Sequence, residues 1–181
     1  MILSVAILGL VTAQRLGELA LAGRNTRRLL ARGAAESGAA HYPLIVGLHG
    51  AWLAGLWAIA WDRPANLGWL AAMVVLEALR IWTLASLGSR WTTRIITLPG
   101  ASVVRRGPYR VFPHPNYLVV VGEIAVLPLV FGLPSYAAAF SVLNAAVLVI
   151  RIRAEEAALA AARRRPAAMS DTETARKPTP V

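Results

Sequence analysis

Two short polar boxes carry the residue types from which a small-molecule site could be built. Residues 105–117 read Arg-Arg-Gly-Pro-Tyr-Arg-Val-Phe-Pro-His-Pro-Asn-Tyr, and residues 151–156 read Arg-Ile-Arg-Ala-Glu-Glu. His114 stands between two prolines whose rings fix the local backbone, beside Asn116 and Tyr117. Donors and acceptors held on so stiff a loop suit a polar small molecule. Arg151 and Glu155 are four apart, on one face of a helix, whereas Glu156 turns away by roughly 100°. An arginine there can pair with an acidic oxygen, and an acid can hold hydroxyls or an amine. A plainer reading of the same residues makes Asn116 a helix cap and Arg151–Glu155 a solvated salt bridge.

Something must bring these boxes together, and the chain between them is greasy. It holds two short apolar segments with a single acid, Glu123. Over all 181 residues, 57% are hydrophobic and the mean hydropathy is +0.56, which is too apolar for a soluble domain. Apolar runs near 2–22, 43–61, 66–87, 116–132 and 134–150 predict an all-α integral membrane protein of about five transmembrane helices. The last two runs are short and could form a deep hairpin closed by Gly132-Leu133-Pro134, with Pro128 kinking the first. One domain over 1–165 and a disordered polar tail over 166–181 complete the expected organisation. Arg15 and Glu18 interrupt the first run, and no positive side chain precedes it, so a retained helix is expected there rather than a signal peptide.

The formal charge of +10 invites a nucleic-acid reading, but its placement argues for a membrane. Sixteen of the nineteen basic residues fall in loops 23–42 and 88–115 and in the tail from 151, while the opposite side has Arg63. That asymmetry puts the N-terminus outside, with the C-terminus and both boxes in the cytoplasm. Without cysteine there are no disulfides or thiolate sites, and His41 and His49 lack a carboxylate partner for a metal. Trp61 and Trp69 would anchor the outer surface, Trp91 and Tyr117 the inner one. Arg15–Glu18 and Glu77–Arg80, each three apart, read as pairs within one helix, or as pairs with one partner facing a cofactor or substrate cavity. Glu123 has no such partner, which makes it a candidate wall of a substrate site.

The combination Gly107-Pro108-Tyr109, His114-Pro115-Asn116-Tyr117 and Arg151…Glu155-Glu156 resembles the isoprenylcysteine carboxyl methyltransferase family of integral membrane enzymes. In the N-terminal half, Gln14-Arg15-Leu16-Gly17-Glu18-Leu19, Arg24-Asn25, residues 33–36 and His41-Tyr42-Pro43 are similar to a bacterial branch of that family. Members of that branch accompany type III polyketide synthases and O-methylate alkylpyrones or alkylresorcinols. The resemblance implies S-adenosylmethionine held by the cytoplasmic connector and the C-terminal half, with a lipid-side tunnel for a lipophilic acceptor. Carried over by position, Val103, Val104, Tyr109, His114, Pro115, Asn116, Tyr117 and Glu155 would surround the cofactor. Arg151 would face the acceptor's acidic oxygen as the catalytic residue, with Glu123 beside the substrate. The chain departs from the family pattern at Pro113, where an arginine commonly precedes the histidine. It also has no histidine just before Val103 and no tyrosine-rich C-terminal extension.

A methyl on sulfonium already has a good leaving group, so alignment is the main task. Arg151 orienting an ionised oxygen would need no strong base. The competing readings are a phospholipid or amine methyltransferase, a sterol-reductase-like enzyme using NADPH through Arg105 and Arg106, and a non-enzymatic adaptor or transporter. Glu155-Glu156 is a poor cradle for a 2′-phosphate, and no inverted repeat supports transport.

Overall fold

In the computed structural model the five apolar runs become five helices: α1 (Ile2–Leu30), α2 (Tyr42–Ala60), α3 (Leu67–Leu87), α4 (Pro115–Val130) and α5 (Pro134–Thr174). The structure describes residues 1–99, 101, 104–112 and 114–174, with side chains through 158 and at 160. Four of the helices are long and apolar enough to cross a membrane. The fourth in sequence, α4, has 16 residues and covers roughly 24 Å, short of a full hydrocarbon core. The architecture is that of an all-α integral membrane protein.

Helix ends follow local chemistry. Asn66 caps α3, its Oδ1 accepting from the backbone N of Gly68 at 3.0 Å and of Trp69 at 3.1 Å. α1 continues past the apolar run to Leu30, with Arg27 and Arg28 in its last turn, where positive charge suits the helix dipole. α5 extends from the last apolar run to Thr174. Residues 175–181 lie outside the described residues.

The loops reveal which ends lie together. β1 (Ala35–Ser37), between α1 and α2, pairs antiparallel with β2 (Ile95–Thr97), between α3 and α4, Glu36 standing opposite Ile96. Arg94 donates to Glu36 at 2.9 Å and lies over the Tyr42 ring at 4.5 Å. Asn25 Nδ2, near the end of α1, donates to the Trp91 carbonyl at 2.9 Å. The two arginine-rich connectors therefore share one end of the bundle. At the other end the Asn66 N–H donates to the Val130 carbonyl at 2.8 Å, and Leu8, Trp52, Leu56, Ile124, Leu127 and Phe131 form an apolar core. α4 packs between α3 and α5. Its approach to α3 needs Gly122, where a Cβ would stand 2.7 Å from Leu76 Cδ2.

Between core and connectors lies a buried ionic cluster. Arg80 of α3, 4% exposed, points Nε and Nη2 at the two carboxylate oxygens of Glu18 on α1. Its Nη1 donates to Glu123 Oε2 on α4 at 2.8 Å, and Arg15 Nη2 donates to the same oxygen at 2.6 Å. Arg15 also lies 3.4 Å from Glu18, as its spacing predicts. The expected Glu77–Arg80 pair does not form: Glu77 accepts from Gln14 of α1 at 2.6 Å instead. Arg80 is taken across helices because the fork of Glu18 offers two parallel bonds where an i,i+3 neighbour offers one. Glu123, fully buried, finds in two guanidiniums the interhelical partners a lone membrane acid requires.

Glu123→Ala would leave Arg15 and Arg80 facing one another with less counter-charge, a loss of about 3–5 kcal/mol by analogy with broken buried pairs. Thermal unfolding in detergent should show Glu123→Ala well below wild type and Glu123→Gln between them; equal midpoints for all three would refute the role of this acid.

Candidate functional site

The two polar boxes meet at the connector end. Pro115 begins α4 with its ring in the first turn, where a missing N–H is harmless, and presents Tyr117 towards α5. The Tyr117 hydroxyl donates to Glu155 Oε2 and accepts from Arg151 Nε at 3.0 Å. The Arg151 guanidinium sits 5.7 Å from the Tyr117 ring centre. His114 stacks on the same Tyr117 ring, ring centres 5.2 Å apart and planes 13° from parallel, with Nδ1 4.0 Å from Glu155 Oε2. One carboxylate, one guanidinium, one phenol and one imidazole thus form a single cluster built from two helices. The connector is fixed beside it. Arg106 Nε donates to the Ser86 carbonyl at 2.7 Å. Gly107, at φ 57°, lies so close to Ser86 that a Cβ would meet its Oγ at 2.0 Å.

Tyr109 follows in the same turn of chain. Burial, and secondarily the charge of Glu155, push its phenol up to about 12. It is therefore a neutral hydroxyl near the acid at working pH.

A cavity of about 270 Å³ opens from this cluster into the bundle. Tyr117, Asn116 and Arg151 line its connector end; Arg15, Glu18 and Arg80 line another wall; Val46, Leu53, Val120 and Leu148 supply apolar surface. Several buried polar atoms have no partner among the described residues, including Asn116 Oδ1, Trp52 Nε1, Trp91 Nε1 and Arg15 Nε. The residues carrying these four atoms all line this cavity. Burying such atoms unpaired costs about 1–3 kcal/mol each, so they fit a site that a polar ligand completes.

Residues 69–161 match the model of the isoprenylcysteine carboxyl methyltransferase (ICMT) family, a segment holding both boxes and the hairpin between them. The chain is also 36% identical over 158 residues, 84% of its length and 94% of the relative's, to "Uncharacterized protein YpbQ" of Bacillus subtilis (strain 168). It belongs to the isoprenylcysteine carboxyl methyltransferase family. No solved structure matches it. Membership makes this chain a membrane methyltransferase.

Of the residues picked from the sequence, the structure brings His114, Tyr117, Arg151 and Glu155 into direct contact, with Asn116 on the same cavity wall and Pro115 buried beside it. Val104 is half-buried and makes no hydrogen bond to the cluster. Val103 and Pro113 lie outside the described residues. Three readings change. Glu123 is not a wall of the cavity; both its oxygens are buried behind Arg15 and Arg80, because those guanidiniums demand a counter-charge at that depth. Asn116 is not the α4 cap, since His114 occupies that position without a side-chain bond. Trp91 is buried against the cavity rather than anchored at the surface. Arg15, Glu18, His49 and Arg80 were not picked as site residues, although ionisable groups at 15, 18 and 80 within apolar runs were the available signal.

The raised Tyr109 phenol gives a pH test with a definite sign. An unfolded tyrosine ionises near 10.0 while the folded one stays protonated, so this group's stabilisation is full below that pH and is lost as pH rises through about 12. The tyrosinate absorbance difference between wild type and Tyr109→Phe should have its midpoint near 12; a midpoint at the ordinary tyrosine value would place the phenol in open water.

Proposed function

We propose that this protein is an S-adenosylmethionine-dependent O-methyltransferase acting on a lipophilic acceptor, an alkylpyrone, alkylresorcinol or long-chain carboxylate. The observation that supports it most is the Tyr117 hydroxyl shared between Arg151 and Glu155 at the head of a partly apolar cavity. The donor set fits the cofactor: Glu155 can accept from hydroxyls or an amine, Asn116 Oδ1 is a buried acceptor awaiting a donor, and the His114–Tyr117 stack offers aromatic faces. When bound, the cofactor supplies a methyl group on a positively charged sulfur with a good leaving group.

The chain's own residues then position and select. Tyr117 holds Arg151 by Nε, leaving both Nη groups without hydrogen bonds among the described residues and free to face an acceptor oxygen. That geometry orients a negative oxygen without supplying a proton acceptor. Apolar side chains of α1, α2, α4 and α5 exclude water and accommodate a hydrocarbon tail. The arginine-rich connectors favour the cytoplasm for this end of the bundle, in a bacterial inner membrane with the N-terminus outside. A cytosolic cofactor would then reach the cluster directly, and a type III polyketide synthase is the class of enzyme that could supply such an acceptor. An NADPH reductase is not favoured, since Arg106 donates to the Ser86 carbonyl and the Glu155 carboxylate of the cluster would repel a phosphate.

Calorimetry on the detergent-purified chain should show S-adenosylmethionine binding and no comparable affinity for NADPH. Glu155→Ala and His114→Ala should each weaken that binding, Glu155→Ala by about tenfold or more, in line with about 1.5–3 kcal/mol for bonds to a charged group. Wild-type affinity in both variants would remove the cofactor site from this cluster.

A further inference from the structure

His49 lies seven residues into α2, roughly 10 Å along the axis from its connector-side start, and its ring forms part of the cavity wall. Nδ1 stands 2.9 Å from the Ile45 carbonyl, one turn back on the same helix. A carbonyl can only accept, so Nδ1 carries hydrogen and donates it. In the neutral ring the lone pair is then on Nε2, and Nε2 has no hydrogen-bond partner among the described residues. One nitrogen is oriented by the backbone and the other is left to meet what enters, which is the arrangement of a positioned base.

The other groups of the cavity do not compete for this part. Its charged residues are Arg15 and Glu18 of α1, Arg80 of α3 and Arg151 of α5; its phenols are Tyr42 and Tyr117. Both oxygens of Glu18 accept from guanidiniums. Tyr42 is paired with Thr93 at 3.0 Å, and Tyr117 with Glu155 and Arg151. Among the described residues that line the cavity, His49 is the base whose lone pair is unclaimed. A carboxylate acceptor, ionised well below neutral pH, would need no such atom. A phenol, with an ordinary pKa of about 10, would.

Resting on the methyltransferase reading above, we propose that His49 is a catalytic general base and that the acceptor is a neutral phenol or enol on an apolar chain, not a carboxylate. The hydroxyl proton passes to Nε2. The freed oxygen pair forms the bond to the methyl carbon, and the pair of the old carbon–sulfur bond leaves with sulfur. The positive charge of the sulfonium thus ends on the imidazolium, which returns its proton to water at the connector end. Arg15, Arg80 and Arg151 favour the oxyanion as the proton departs.

The test uses the full chain in detergent. A nitrophenol with a long para-alkyl chain, added without cofactor, reports its own ionisation by absorbance. His49→Gln should raise its apparent pKa in the bound state by about one unit relative to wild type. With S-adenosylmethionine, His49→Gln should lower turnover of a long-chain phenol at neutral pH by about 100-fold with KM within about threefold, recovering as pH rises. Nitrogen NMR of wild-type chain labelled at its three histidines should find one neutral ring protonated at Nδ1 and absent from His49→Gln; this check survives even if the variant folds poorly. An Nε2-protonated His49, unchanged phenol turnover in the variant, or wild-type preference for a long-chain carboxylate would each overturn the proposal. Failure of wild type to bind S-adenosylmethionine would instead overturn the reading on which it rests.

Discussion

A guanidinium carried into a stack of apolar helices persists only with carboxylates beside it, and Arg80 has two. Glu18 holds it by a fork from α1 and Glu123 by a single bond from α4, while Arg15 closes the circuit. Each of these charges would be costly alone in a medium without water. Together they fix three helices at one depth. Arg15, Glu18 and Arg80 of this cluster also line the cavity, so its shape depends on where the ion pairs place α1, α3 and α4. The apolar core on the other side adds burial but little direction, because hydrophobic contact is not directional. The ionic cluster supplies the register.

The second constraint acts through one hydroxyl. α4 is short and α5 long, and the contact between their connector-side parts is polar: Tyr117 accepts from Arg151 and donates to Glu155. The phenol thereby sets the distance between guanidinium and carboxylate, the two charged groups that a methyl donor and its acceptor would each address. The cavity then joins this polar head to Arg15 and His49 deeper in the bundle. The polar cluster and the deeper ionisable groups are thus parts of one space within this membrane methyltransferase.

Much of this was legible in the sequence because the signals were local. Apolar runs of helical length marked five helices, prolines at 43, 115 and 134 stand at or near three of their starts, and loop arginines placed both connectors on one side. The His114–Tyr117 box and the Arg151–Glu155 spacing identified the cluster that the fold assembles. What escaped depends on which residues meet in three dimensions. Spacing within α3 pointed Glu77 at Arg80, yet a better-shaped acid on α1 takes the arginine. Glu123 was recognised as anomalous, but whether it faced substrate or protein depended on two arginines far away in sequence. His49 carried no motif at all. Its role emerges from a backbone carbonyl one turn back and a cavity no local pattern announces.

A double-mutant cycle between Glu18 and Arg80 tests the ionic cross-link most directly, with stability of Glu18→Gln, Arg80→Gln and the double variant measured in the same detergent. The account predicts strong non-additivity, each single change costing far more than its increment in the other's absence, with a coupling of about 1–3 kcal/mol. Costs that add within about 0.5 kcal/mol would contradict it, since α1 and α3 would then be held together by something other than this pair.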